Sequence, residues 1–140
     1  LMRDLVVGTF AVLHHTPLTS MGLNIEAHFA CESEAQWHAI GDKLAPKDAW
    51  QRTFDGHVGM RSLRMQVEPT ATHRGRLMLV VEPSQKFAPG VWLSVNDHYE
   101  KKTEIDTPGA VALIKVLETE WSRSIDFSRA AMVKLLENLE

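Results

Sequence analysis

Only one cysteine, Cys31, occurs among 140 residues, so no disulfide can form within the chain; a reducing compartment is expected, with the cytoplasm as the location. Long apolar runs are also missing, since no stretch approaches the roughly 18 residues that a membrane-spanning helix requires. Neither sign of charge dominates. The net charge of -3 argues against nucleic acid or an anionic membrane as a partner. There is no Gly-x-Ser-x-Gly nucleophile elbow, no P-loop and no dinucleotide-binding glycine pattern, and Gly56 and Gly59 lack the lysine and helix that a phosphate loop needs. No cofactor is expected.

What is present is globular. Hydrophobic residues make up 44% and charged residues 24%, and the length suits one domain, residues 1–140. The apolar opening carries Arg3, Asp4 and Gly8 and runs into His14, His15 and Pro17, which reads as core structure rather than a signal peptide. The first residue is leucine, which leaves room for a native segment ahead of it.

Periodicity divides the chain. Leu5, Val6, Phe10 and Leu13 recur at helical spacing before Pro17, with a strand as the alternative because Val6, Val7 and Gly8 are poor helix formers. Met21, Leu23, Ile25, Ala27 and Phe29 then alternate with polar residues, the period of a half-buried strand. Ser33 with Gln36 three residues on reads as a capping box, opening a helix that buries Trp37, Ile40 and Leu44 and stops before Pro46. Residues 45–59 show no period, so they form either a functional loop or a short helical turn near Trp50 and Phe54.

Three further alternating segments, around Leu63, Leu77 and Val91, predict strands, and the first two end in Val-Glu-Pro, where proline halts a ladder. Thr107 as N-cap and Pro108 at the first helical position open a long final helix. Its predicted stripe is Ile114, Leu117, Trp121, Ile125, Ser128, Met132, Leu135 and Leu139. The elements add up to an α+β two-layer sandwich: a four-stranded antiparallel or mixed sheet, helices on one face, and a long C-terminal helix.

That helix, about 45 Å for some 30 residues, is expected to outrun a strand of about 30 Å. Met132, Leu135, Leu136 and Leu139, together with Trp92 on the polar side of its strand, are therefore the candidate interface. A homodimer or other protein partner would meet the C-terminal helix there.

The other sheet face gathers the polar candidates. Asn24, Glu26 and His28 share it with Arg64, Gln66 and Glu68, and with Ser94, Asn96, His98 and Glu100. Solvation alone accounts for such a face; a ligand or partner surface is the functional alternative. If the first and fourth strands are neighbours, Glu26, His28, His98 and Glu100 supply the donor types of a zinc or iron site. Cys31, just ahead of a helix, is the candidate nucleophile. His38 reads as solvent-facing and His57 as a turn residue, and His73 with Arg61, Arg64, Arg74 and Arg76 forms the one basic concentration. A non-catalytic interaction or assembly domain ranks first. A metal-dependent enzyme or small-ligand binder using the polar face ranks second.

Overall fold

The computed structural model of the chain describes residues 1–101 and 107–139. Its elements, in chain order, are α1 (Met2–Val12), β1 (Ser20–Ala30), α2 (Glu34–Leu44), α3 (Asp48–Gln51), β2 (Leu63–Val67), β3 (Arg76–Pro83), β4 (Gly90–Glu100) and α4 (Gly109–Glu137). The strands form one antiparallel sheet in the order β1-β4-β3-β2, so the α+β sandwich with a long C-terminal helix is the architecture found. Residues 2–12 are helical, which excludes the strand alternative, and the aperiodic stretch after α2 contains the short turn α3.

Odd-numbered residues of β1, β3 and β4, with Leu63 of β2, point to the helices, whereas Met65 and Val67 at the sheet edge are exposed. β4 lies inside the sheet, and its Val91, Leu93 and Val95 are buried between the neighbouring strands and the helical layer. Leu93 and Val95 pack with Leu77, Val81 and Met132, and Val91 with Ile40 and Leu139. Each such aliphatic or thioether side chain contributes about 1.5–3 kcal/mol on burial.

Two capping expectations need adjusting. Ser33 caps α2 as predicted, its Oγ accepting from the Gln36 amide at 3.1 Å, but the Gln36 side chain accepts from the Glu32 amide at 2.7 Å, one residue before the cap. At α4, Pro108 occupies the cap position itself and the helix begins at Gly109. The Ala110 amide donates to Thr16 O at 3.2 Å, so the segment after α1 satisfies that end. Gly109 is required there, because a Cβ would strike the Leu18 carbonyl.

The α4 stripe is rotated from its predicted position. Leu113, Leu117, Glu120, Ser124, Ser128 and Met132 are buried, while Ile114, Trp121 and Ile125 lie half-buried on the flank. The far end of the helix does not overhang. Met132 is 1% exposed, and Leu135, Leu136 and Leu139 pack against Ile40, Val91, Trp37 and Leu44. β1 and β4 each run eleven residues instead of nine, and α2 covers the last turns, so the expected interface on Met132, Leu135, Leu136 and Leu139 is corrected to an internal contact with the chain's own second helix.

Candidate functional site

Register decides which of the polar candidates meet. β1 and β4 are neighbours, as the metal reading required, but His28 pairs with Trp92 whereas His98 pairs with Gly22 and Arg76. His98 lies six positions from Trp92 along β4, a separation of about 20 Å. Glu26, His28, His98 and Glu100 therefore do not converge, and among the described residues no three His, Cys, Asp or Glu side chains are grouped to hold a metal ion.

Instead the open face divides into three zones. At one end Arg76 bridges Glu100 (3.1 Å) and Glu68 (3.6 Å), with His98 Nε2 3.5 Å from Glu100. Arg76 thus balances two carboxylates, although its buried Nε has no hydrogen-bond partner among the described residues. In the middle the Asn96 amide donates to Asn24 Oδ1 at 2.5 Å, and Arg64 and Asn96 flank a groove of about 320 Å³ beside Met78 and Val80. Met78 is 41% exposed, so the face is less polar than its sequence suggests.

The third zone is the loop end, where β1 and β3 finish and β4 begins. His28, Trp92 and Glu82 stand side by side across three strands, since Trp92 pairs with both of the others. Cross-strand neighbours of this kind lie about 4.5–5.5 Å apart. The loop at residues 84–89 rises beside them, and together they bound a cavity of about 430 Å³. Ser84 Oγ accepts from the Lys86 and Phe87 amides, both at 3.0 Å, so its own proton goes to His28 Nδ1 at 2.9 Å. That contact places the imidazole proton on Nε2. Glu82 Oε1 accepts from Ser62 Oγ at 2.8 Å.

A second cavity of about 300 Å³ opens on the far side of Glu82 and Pro83, between α2 and the 57–60 segment. His38 and His57 meet on its rim with ring centroids 6.3 Å apart, and Trp37 stacks obliquely on His38 at 4.9 Å. Lys47 pairs with Asp42, and the Lys47 ammonium holds the Asp42 carboxyl below the usual carboxylate range. The His38–His57 contact carries no signal in the sequence, because the two lie 19 positions apart and His57 falls in an aperiodic stretch.

The remaining chemistry is buried. Asp97 Oδ1 accepts from His73 Nε2 at 3.0 Å and Oδ2 accepts from the Tyr99 hydroxyl at 2.9 Å, with Asp97 0% exposed. The His73 ring stacks on Phe127 with centroids 4.3 Å apart. A Cβ at Gly75 would fall on the Asp97 carboxylate, so only glycine fits there. Burial pushes the Tyr99 phenol strongly upward, and its bond to Asp97 adds to the effect. Part of the basic concentration is engaged: His73 bonds Asp97, Arg74 lies 3.7 Å from Glu120, and Arg76 bridges Glu68 and Glu100. Cys31 has no side-chain hydrogen-bond partner among the described residues, and burial pushes its thiol up, against the effect expected of the helix end after it.

Fold and site together define a two-layer α+β domain with a bare antiparallel face and its concave features at one end. In comparison with known proteins, no family model, no curated protein and no solved structure matches this chain. No helix among the described residues is long and apolar enough to cross a membrane.

Proposed function

We propose that this chain is a non-catalytic recognition domain that binds its ligand at the loop end of the open sheet face. The observation that carries the reading is the aligned His28–Trp92–Glu82 row under the 84–89 loop, with a donor, an acceptor and an aromatic surface facing one cavity. Supporting the non-catalytic reading, the His–Asp pair at His73 and Asp97 is buried and burial raises the Cys31 thiol. Ligand-observed NMR of a small-molecule mixture against wild-type protein and Trp92→Ala tests it. Binders that vanish with the substitution support the site; binders that persist unchanged overturn it.

A second reading, assembly, is favoured by one separate feature. β1 is an edge strand of eleven residues with no proline, lysine or arginine to blunt it, and edges of that kind invite pairing. The occupant we assign is β1 of a second copy. All existing pairs are antiparallel, as a two-fold axis demands, and alternation along β1 keeps both faces in phase. α1 adds exposed apolar residues, with Leu5 69% and Val12 75% exposed. Native mass spectrometry across a concentration series should give twice the 15.8 kDa chain mass, falling to one copy in Leu5→Lys/Val12→Lys. A single copy at every concentration rejects assembly.

A further inference from the structure

The unpaired groups around the 430 Å³ cavity specify more than a generic site. Three polar functions remain unmatched by protein among the described residues. They are His28 Nε2, whose partner nitrogen is already engaged by Ser84, the second carboxylate oxygen of Glu82, and the Lys86 ammonium. Lys86 lies 5.7 Å from the Phe87 ring centroid and has no carboxylate partner. One anion, one cation and one neutral-type donor thus surround the half-buried face of Trp92.

A ligand with a single charge satisfies one of these groups and sets the other beside a like charge or leaves it idle. A ligand carrying both charges satisfies the pair. We infer that the loop end of the open face binds a small zwitterion with a planar apolar side chain, an aromatic α-amino acid in type. Its ammonium meets Glu82, its carboxylate meets Lys86 and the His28 Nε2 proton, and its ring lies against Trp92. The cavity falls at the lower end of the range of about 300–1,000 Å³ typical of small-molecule sites. This inference rests on the recognition reading proposed above.

The test follows the Trp92 indole N–H resonance, assigned with Trp92→Phe, during titration with three probes of one carbon skeleton. L-Phenylalanine carries both charges, 3-phenylpropionate only the carboxylate, and phenethylamine only the ammonium. L-Phenylalanine should bind at least about tenfold more tightly than either half-probe, a difference of about 1.4 kcal/mol. Glu82→Gln should reduce phenylalanine to the level of phenylpropionate and leave phenylpropionate unchanged, and Lys86→Met should do the converse with phenethylamine. Both variants are surface changes, and an unaltered melting curve confirms the fold. If a half-probe binds as tightly as phenylalanine, the zwitterion assignment falls and the recognition site stands. If no probe moves the Trp92 resonance at millimolar concentration, the zwitterion assignment falls, and the mixture screen with Trp92→Ala decides the recognition reading separately.

Discussion

Asp97 occupies a position where the alternation of β4 demands an apolar side chain. It follows Val91, Leu93 and Val95 with period two and precedes Tyr99, all facing the helices. That phase is readable from the sequence, and an acid on the buried side was the available signal for a polar core cluster. What the sequence does not contain is the pairing with His73, which depends on the hairpin before β3 folding under α4. The cluster has a measurable pH signature. Tyr99 binds its proton more tightly in the fold than at its unfolded value of 10.0, so its contribution to stability is full below pH 10.0 and is lost as pH rises above it. Tyr99 is the only tyrosine, so near-ultraviolet tyrosinate absorbance reads this group alone. Its titration should begin above the ordinary phenol range and coincide with alkaline unfolding. Tyr99→Phe should remove that slope and lower stability by about 2 kcal/mol at neutral pH, since it deletes a hydrogen bond to a buried carboxylate.

Cys31 gives a second residue-scale test. Its raised thiol predicts slow alkylation at neutral pH, accelerating only once pH passes the ordinary thiol range of about 8.5. Rapid modification at neutral pH would contradict the environment described for it.

Among the elements, strands were more legible than helix faces. A strand has a period of two, so one buried residue fixes every other, and β2 and β3 fall where alternation puts them. A helix face is set by what it meets. Choosing the most apolar α4 stripe selected Ile114, Trp121 and Ile125, yet the helix turns Glu120, Ser124 and Ser128 inward. Glu120 and Ser124 lie close enough to Tyr99 to influence its phenol, so the polar patch under the helix fixes its rotation. Ser128 Oγ, like Ser124 Oγ, is buried without a hydrogen-bond partner among the described residues. Ser128→Ala is therefore expected to stabilise the protein by about 1 kcal/mol, read as a raised midpoint in thermal or denaturant unfolding. The N-cap of α2 gives the opposite sign: Ser33→Ala should cost about 1 kcal/mol by releasing the Gln36 amide. Because α2 covers the last turns of α4, that loss should loosen both helices together.

At the scale of the molecule, the fold class was legible and the strand order was not. Alternation reports which residues share a face but carries nothing about which strand lies beside which. The order β1-β4-β3-β2 does make β1 and β4 neighbours, but their register sets His28 beside Trp92 and parts it from His98, so the expected metal ligands do not meet. The interface expectation failed for a related reason. Helix and strand lengths alone do not reveal that α2 folds across the end of α4. Hydrogen exchange offers a whole-molecule check. β4, flanked by partners on both sides, should hold the slowest amides, and β1, paired on one side only, should exchange sooner.

The same strand order bears on how the chain acquires its shape during synthesis. β2, β3 and β4 form a local meander, with ladder partners as close as 8 residues at Pro83 and Val91, whereas β1 meets β4 across 60 to 80 residues. Closing a loop of about 60 residues instead of about 8 costs roughly 2 kcal/mol more in chain entropy. β1 should therefore dock late, so that Ile25→Ala chiefly speeds unfolding while Leu79→Ala chiefly slows folding in stopped-flow measurements. On the ribosome the consequence is sharper. β1 emerges early and then waits for β4 to be translated, leaving Leu23, Ile25 and Phe29 without their strand partners for several seconds at ordinary elongation rates of about 5–20 residues per second. The nascent chain is in that interval a natural substrate for chaperones that hold extended apolar segments.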